Sequence, residues 1–322
     1  MEGRRFFLCF SVICILIPAF VSAQVDTKDY VFELIDVPDS YSTGVFSINA
    51  QGQVAGRYGL DVGDCMPQAH SFIWKDGEFS YFSFEGAEGV YETRADGINE
   101  RGDITGSYTL DPPVYDPVEN RCYARRYGYV ITHQGENLTV TFPFSQHEVV
   151  NKILPSGWMV GPFVDADCEL PWGPNGCIHS FLLKEEEFYQ LDFPGGWRTD
   201  VIDINPRGDF VGNYSDDTGR AGFVYHVGKD GYESIRFPGA TETNAYSVNA
   251  AGHVLGNANH NQDWRVCYIY RQGHFTEINF IGGEGFSFSM WGGINPAGTV
   301  AGNARCPDGK DRAFIAWPVE ED

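Results

Sequence analysis

The sequence has little positive charge. Of its 322 residues only 22 are Lys or Arg, against 44 Asp or Glu, and the formal net charge is -22. Such a surface repels phosphate backbones and anionic lipid surfaces, so we expect no nucleic-acid partner. Divalent cations or basic partners fit the charge better, although an acidic surface can also simply keep a protein soluble outside the cell.

Short motifs that would name a reaction are also missing. The chain has no Gly-rich phosphate loop, no Gly-x-Ser-x-Gly elbow and no His-Glu-x-x-His pair. It has no Cys-x-x-Cys pair either, which makes zinc a weaker alternative than disulfides for its cysteines. The sequence therefore identifies no catalytic residue, and whether the protein is an enzyme stays open.

Long apolar runs are confined to the amino terminus. Arg4 and Arg5 precede an apolar stretch over Phe6–Phe20, and Val21-Ser22-Ala23 has the small-x-small form of a cleavage site. The run is short for a membrane span, which is the alternative. We expect residues 1–23 to be a signal peptide, leaving a secreted or periplasmic protein with no transmembrane anchor.

The main feature that is present is a hairpin of the form Ile-Asn-x-x-Gly-x-Val-x-Gly, which recurs six times. Its copies are separated by 44 to 55 residues and begin at Ile48-Asn49, Ile98-Asn99, the degenerate Ile153-Leu154, Ile204-Asn205, Val248-Asn249 and Ile294-Asn295. A repeat near 50 residues indicates a solenoid, a propeller or an array. The Asn and Gly residues have the chemistry of tight turns, so we interpret them as turn makers.

Each repeat contains four short stretches with period-two patterning, which predicts an all-β fold. We expect residues 24–322 to form one six-bladed β-propeller of four-stranded blades, with repeats starting near residues 41, 91, 147, 197, 241 and 287. The strand over Tyr30–Val37 should pair antiparallel with the strand around Phe314–Trp317 and close the ring, because closure removes exposed edges. A β-helix is the rival fold, but its coils are much shorter.

The repeat resembles the HAF family of probable extracellular repeats. The resemblance rests on the recurring hairpins, on the triplets His70-Ser71-Phe72, His179-Ser180-Phe181 and Arg312-Ala313-Phe314, and on Phe193-Pro194-Gly195 and Phe237-Pro238-Gly239. It covers about residues 30–318 and implies secretion. It transfers no catalytic residue.

Six cysteines follow the predicted cleavage site, and an even count behind a signal peptide favours disulfides. Cys168 and Cys177 lie in one loop, and Cys65 and Cys122 lie in equivalent loops of adjacent blades. We expect the pairs Cys168–Cys177, Cys65–Cys122 and Cys267–Cys306. Asn137 and Asn213 begin glycosylation sequons, which matter only in a eukaryotic host.

One face of the predicted propeller carries acidic loops. Asp61, Asp111, Asp165 and Asp216 follow the second strand of four successive blades at similar distances. Oxygen-rich loops suit calcium, the one cofactor candidate, although no calcium-loop spacing is present and a solvated rim explains the same pattern. His70 and His179 occupy equivalent positions that suit packing better than metal binding.

Aromatic residues accumulate in the loops of the same face. They are Tyr41, Tyr91, Trp197, Tyr246, Phe288 and Trp291. Rings beside polar loops are typical of carbohydrate sites, while packing between blades is the alternative. We therefore expect a binding module for carbohydrate or another extracellular partner. The alternatives are a hydrolase that uses the loop carboxylates, with or without calcium, and a purely structural repeat protein.

Overall fold

The computed structural model describes residues 25–60, 68–116, 121–142, 145–165, 178–229, 231–260 and 264–320. Within these ranges the chain consists of strands and turns, as the period-two patterning predicts. Among the same residues, no helix is long and apolar enough to cross a membrane.

The strands follow one another as short antiparallel meanders. In chain order they are β1 (Val25–Ile35), β2 (Ser42–Ile48), β3 (Val54–Gly59), β4 (Ala69–Lys75), β5 (Glu78–Phe82), β6 (Glu92–Ile98), β7 (Ile104–Thr109), β8 (Val114–Asp116), β9 (Arg121–Tyr123), β10 (Tyr127–Ile131), β11 (Asn137–Val140), β12 (Ser145–Glu148), β13 (Lys152–Ile153), β14 (Met159–Asp165), β15 (Ile178–Lys184), β16 (Glu187–Leu191), β17 (Arg198–Ile204), β18 (Phe210–Asp216), β19 (Gly219–His226), β20 (Gly231–Ile235), β21 (Glu242–Val248), β22 (Val254–His260), β23 (Trp264–Arg271), β24 (His274–Phe280), β25 (Ser287–Ile294), β26 (Val300–Arg305) and β27 (Asp311–Pro318).

The described strands form four separate blade sheets and one larger sheet. The separate blades have the strand orders β2-β3-β4-β5, β6-β7-β10-β11, β12-β14-β15-β16 (with β13 also on β14) and β17-β18-β19-β20. The remaining long strands form an eight-stranded sheet, β21-β22-β23-β24-β1-β27-β26-β25, and β8 and β9 form a small loop ribbon. The expectation of six separate four-stranded blades is therefore wrong.

The physical reason is the length of β1. Its first half, Val25–Tyr30, pairs in parallel with Phe275–Phe280 of β24. Its second half, Tyr30–Ile35, pairs antiparallel with Ala313–Pro318 of β27. Backbone hydrogen bonds thus run without interruption across what would otherwise be two blades. The predicted antiparallel pairing of the amino-terminal strand with the carboxy-terminal strand is confirmed.

The sheets pack in chain order around a centre, and the first strand of each meander is innermost. β2 packs against β6 on one side and against β25, β26 and β27 on the other, so the arrangement closes on itself. Apolar clusters fill the spaces between neighbouring sheets, with Tyr268, Phe72, Phe181, Phe223 and Phe314 among the fully buried rings. This is the β-propeller arrangement.

The recurring Asn closes the turn and links neighbouring meanders. In the first repeat, Asn49 Oδ1 accepts from the backbone N–H groups of Gln51 and Gln53, at 3.1 and 2.9 Å. Its Nδ2 donates to the carbonyl of Asn99 in the next repeat at 3.0 Å. Asn205 and Asn249 make the same connections. The turn role predicted for these residues is confirmed. The hydrogen bond from each Asn side chain to the next repeat was not predicted from the sequence.

A β-bulge recurs in the inner strands β2, β6, β17, β21 and β25. In β2 the ladder passes from Val45 directly to Ser47, so Phe46 is the extra residue. A bulge turns two consecutive side chains toward one side of the strand. Both Phe46 and Ser47 accordingly line the central cavity, as do Ile202 and Asp203 in β17.

Cys267 and Cys306 are free and buried, so the predicted disulfide between them is wrong. Cys267 packs in the apolar cluster with Met290 and Phe314. Cys306 instead directs its Sγ at the carbonyl of Ala304, 3.9 Å away, at the end of β26. Cys122 is disulfide-bonded. Because Cys65, Cys168 and Cys177 lie outside the described residues, the other two pairs stay predictions.

Candidate functional site

The inner strands surround a cavity of about 290 Å³ on the central axis. Every meander contributes residues to its lining. Most of these residues lie at or next to the bulge in the first strand of the meander. The lining includes Phe46, Asp96, Asn151, Ile202, Tyr246 and Trp291. The volume is close to the lower end of the range of about 300–1,000 Å³ that is usual for small-molecule sites.

Three arginines make one wall of this cavity cationic. Arg94 lies on β6, Arg57 comes from β3, and Arg126 comes from the segment before β10. Two carboxylates face them. Glu92 pairs with Arg94 Nε and lies 3.8 Å from Arg126 Nη1, and Asp96 Oδ1 lies 3.8 Å from Arg57 Nη1. The cluster therefore holds three guanidinium groups against two carboxylates.

The pKa values of this cluster reflect its burial and its excess of positive charge. Burial and the neighbouring Arg94 lower the pKa of Arg57 to about 10 and that of Arg126 to about 9. Burial also raises the pKa of Asp96, although Arg57, Arg94 and Arg126 partly oppose this. Because the positive charge of Arg94 contributes to lowering both pKa values, an added anion would be stabilised beside these groups.

The arginine wall is tightly enclosed. Arg94 and Arg126 are only 8% and 7% exposed, whereas the side chain of Arg57 is 26% exposed. Arg126 Nη1 also approaches Ser107 Oγ at 3.4 Å, and Arg57 stacks over the ring of Phe46 with its Cζ 4.1 Å from the centroid. Arg57 is thus the arginine most accessible to a ligand in the cavity.

Aromatic rings form another part of the cavity lining. Trp291 is 52% exposed, and its ring centroid lies 5.4 Å from that of Tyr246, which is buried. Trp291 projects because the ladder of β25 is interrupted between Ser289 and Gly293, a longer irregularity than in the other inner strands. Gly292 follows at a position where a Cβ would overlap the carbonyl of Ala301, so glycine is required there.

A second group of polar residues lies deeper on the axis. Lys152 Nζ donates to Ser47 Oγ at 2.9 Å and to the carbonyl of Ile98 at 3.0 Å. Asp203 Oδ2 accepts from Ser247 Oγ at 2.6 Å and from the Val248 N–H at 2.9 Å. Lys152, Asp203 and Ser247 also line the smaller cavity toward the Asn turns, so this belt forms the floor of the main cavity.

The aromatic residues predicted for the site are only partly brought together. Tyr246 and Trp291 line the central cavity. Tyr41 and Trp197 are exposed at the beginnings of β2 and β17, and Tyr91 is half-buried before β6. Phe288 packs into the ring cluster of Phe32, Phe280 and Phe314, where it has the packing role that was the alternative.

The three predicted acidic residues that the structure describes do not line the central cavity. Asp165 ends β14 and lies 3.3 Å from Nε2 of His179, and Asp216 ends β18, where the Thr218 hydroxyl and N–H lower its pKa. Asp111 is exposed after β7, and Asp61 lies outside the described residues. Within the described ranges no group of three or more His, Cys, Asp or Glu could hold a metal ion. The calcium hypothesis stays a prediction.

The two predicted glycosylation sites differ in accessibility. Asn213 is 0% exposed, and its Oδ1 accepts from the N–H of Ala245 in the next meander at 2.9 Å. A glycan cannot be accommodated there in the folded protein, so the prediction for Asn213 is wrong. Asn137 is half-buried at the start of β11.

The charged residues of the cavity are the part of the site that sequence reasoning missed. Arg94 and Asp96 occupy repeat positions that hold Gly44 and Phe46 in the first copy and Asn244 and Tyr246 in the fifth. Arg57 follows the repeat glycine where later copies have Asn213, Asn257 and Asn303. Comparing the copies position by position would have revealed these differences, but only knowledge of the bulge shows that they face the axis.

No protein-family model matches the sequence, and no curated protein matches it significantly. The fold is similar to the WD40 repeats of RRP9, with 10% identity over 90% of this chain and 98% of that chain, and a TM-score of 0.48. It is also similar to the β-propeller domain of the Trilobed protease from Pyrococcus furiosus, at 9% identity over 86% and 94% of the chains and a TM-score of 0.45. A luciferin-regenerating enzyme aligns at 9% identity over 89% and 95%, with a TM-score of 0.44. These likenesses concern the fold alone.

Proposed function

We propose that this chain is a β-propeller binding protein whose central cavity binds a sugar that carries a carboxylate. The observation that carries the proposal is the wall of three arginines beside an exposed tryptophan. In a chain with a net charge of -22, three guanidinium groups around one small cavity run against the overall composition. A bound carboxylate would neutralise their excess charge.

The chemistry of the two walls supports a ligand with one charged and one apolar side. A guanidinium group presents parallel N–H donors that match the two oxygens of a carboxylate. The face of an indole ring offers a flat apolar surface to the C–H face of a pyranose. Arg57 and Trp291 are the accessible members of these two groups, so a uronic acid can use both together.

Hydrolysis is the second candidate, because the carboxyl of Asp96 lies in the same cavity and its pKa is raised. Acid–base hydrolysis with paired carboxylates needs a second free partner. The other cavity aspartate, Asp203, already accepts from Ser247, Val248 and Ile204. Binding without turnover is therefore the better supported function, and release of product from aryl glucuronides would instead favour hydrolysis.

The proposal is tested by calorimetric titration of glucuronate into variants of the cavity. Arg57→Gln should weaken binding at least about tenfold, because a charge-assisted hydrogen bond contributes roughly 1.5–3 kcal/mol. Trp291→Ala should also weaken it. The matched controls are Arg305→Gln, which alters an exposed arginine paired with Asp311, and Trp197→Ala, which removes an exposed ring outside the cavity.

The controls should bind glucuronate like the wild type. If Arg57→Gln and Arg305→Gln weakened binding equally, the effect would be a general one of charge and the cavity would not be the site. We also propose export, which the signal-like segment 1–23 supports. Amino-terminal sequencing of the mature protein should then begin at Gln24, and an intact Met1 would contradict export by this route.

A further inference from the structure

A second group of basic residues, two of them cationic and two histidines, lies far from the central cavity, in a groove at the turn side of the eight-stranded sheet. The groove has a volume of about 550 Å³ and lies where β1 joins the two halves of that sheet. Its basic residues are Lys28 on β1, His253 before β22, Arg271 at the end of β23 and His274 at the start of β24. Its lining residues include no Asp or Glu.

The basic groove has no internal counterion among the residues that the structure describes. Lys28, Arg271 and His274 are exposed, and none of the three forms an ion pair with a described Asp or Glu. Most other arginines are paired with Asp or Glu, namely Arg57, Arg94, Arg101, Arg126, Arg198, Arg207, Arg220, Arg236, Arg305 and Arg312. The chain has twice as many acidic as basic residues, so a groove lined by basic residues without acidic partners differs in charge from the rest of the surface.

The shape of the groove also favours a ligand. Its lining includes the apolar parts of Tyr30, Ile269, Ile294 and Pro318 behind the charged groups. His253 is half-buried there, and burial together with the nearby Arg271 lowers its pKa, which disfavours its charged form. A ligand with a short backbone and several negative groups can contact the charges at both edges.

We propose that this groove is a second binding site, for a small multivalent oxyanion. The ligand must carry at least two phosphate, sulfate or carboxylate groups, because the two cations lie on two sides: Lys28 on β1 and Arg271 at the end of β23, where the ring of His274 adds a hydrogen-bonding group. The parallel pairing of β1 with β24 places Lys28 and Tyr30 beside the β24 residues of the groove, so the pairing that fuses the sheet also completes this site.

Calorimetry at low ionic strength tests the second site with three probes: pyrophosphate, citrate and a sulfated disaccharide. Each source of charge is thereby represented, and the tightest binder identifies the ligand class. Arg271→Gln and Lys28→Gln should each weaken binding of that probe about tenfold, as expected for the loss of a charge-assisted contact. The control is Arg265→Gln, because Arg265 is exposed, lies on the same strand as Arg271 and does not line the groove.

The same variants separate this proposal from the one for the central cavity. Arg271→Gln should leave glucuronate binding unchanged, and Arg57→Gln should leave binding of the oxyanion probe unchanged. The second site would be disproved if none of the three probes bound at millimolar concentration. It would also be disproved if Arg265→Gln weakened binding as much as Arg271→Gln, because the effect would then reflect net charge alone.

Discussion

At the scale of single residues, the floor of the cavity depends on one cation and one anion at equivalent positions. Lys152 extends past Gly97 to Ser47, and a side chain at Gly97 would overlap the carbonyl of Asn151 and the hydroxyl of Thr105. Asp203 makes the equivalent link between inner strands by accepting a hydrogen bond from the Ser247 hydroxyl. These polar contacts hold the inner strands together where apolar packing is absent.

Asp203→Asn should destabilise the protein by about 2–3 kcal/mol, because an amide nitrogen would face donors that the carboxylate now accepts from. Asp203 is 6% exposed and receives Ile204 N–H, Ser247 Oγ and Val248 N–H. Urea unfolding measures the loss. Asp311→Asn is the control, because Asp311 is exposed and its one ion pair among the described residues is with the exposed Arg305. Equal losses in the two variants would show that the belt adds no stability.

Two buried neighbours should give opposite dependences of stability on pH. Burial raises the pKa of Glu148 to about 7, although Ser145 and Arg125 oppose this, so the folded protein keeps that proton longer than the unfolded chain does. Its contribution to stability is therefore present at low pH and is lost as pH rises toward 7. Burial and the arginines near it lower the pKa of His147 to about 3, so its contribution is lost as pH falls from about 6.5 toward 3.

Glu148→Gln should remove the first of these effects. Relative to the wild type, the variant should gain melting temperature between pH 5 and pH 8, and thermal unfolding across that interval measures the difference. A constant difference between variant and wild type across the interval would show that Glu148 does not titrate in the folded protein at these values.

At the scale of strands, the recurring Val-x-Gly is explained by the bulge opposite it. Gly212 pairs with Val201, directly before the bulge in β17, and a Cβ there would overlap the carbonyl oxygen of Asp200. Gly56 and Gly256 lie against Gly44 and Asn244 in the same way. Glycine lets the second strand approach the bulged first strand closely, so the bulge and the glycine form one unit.

Gly212→Ala should destabilise the protein by more than about 2 kcal/mol, since the backbone must move to relieve the overlap. Gly228→Ala is the matched control, because a Cβ at Gly228 meets nothing within 4 Å. Chemical denaturation of the two variants measures the difference. Similar stabilities would mean that the inner strand can shift without cost.

The closing strand allows a comparison of adjacent residues on its two faces. Phe32 of β1 makes edge contacts with the rings of Phe280, Phe286, Phe288 and Phe314, at centroid distances of 5.2 to 6.4 Å. Phe32→Ala should cost about 3 kcal/mol, as is usual for aromatic truncation in a core. Val31→Ala should cost far less, because Val31 is 46% exposed. Comparable melting temperatures would contradict a structural role for this face of β1.

The sequence predicts the strands, the Asn turns and the pairing of β1 with β27, because each depends on local turn chemistry or on the phase of the repeat. It does not predict the parallel pairing of β1 with β24, because nothing in a period-two pattern selects the neighbour at an outer edge. The sequence also does not predict the central cavity. Period-two alternation assigns Arg94 and Asp96 to one face of a strand, but whether that face lies toward the axis depends on the bulge after Ala95, which the pattern does not show.

At the scale of the whole molecule, acidic and basic residues occupy different regions. The acidic residues Asp111, Asp165 and Asp216 lie at or just after the ends of strands, away from the axis. Three arginines, Arg57, Arg94 and Arg126, line the central cavity, and further basic residues line the groove beside β1. An acidic exterior with cationic interiors favours small anions that can enter the cavities over large polyanions that the outer surface repels. The closed ring of sheets holds the cavity walls in a fixed arrangement.

The most direct test of this account is a calorimetric comparison of glucuronate, its methyl ester and glucose on the unmodified protein. The ester keeps the ring and loses only the charge, so it isolates the contribution of the arginines. We predict that glucuronate binds at least tenfold more tightly than the ester, as the loss of a charge-assisted contact requires. Equal affinities, or tighter binding of glucose, would contradict an arginine-lined carboxylate site at the centre of the propeller.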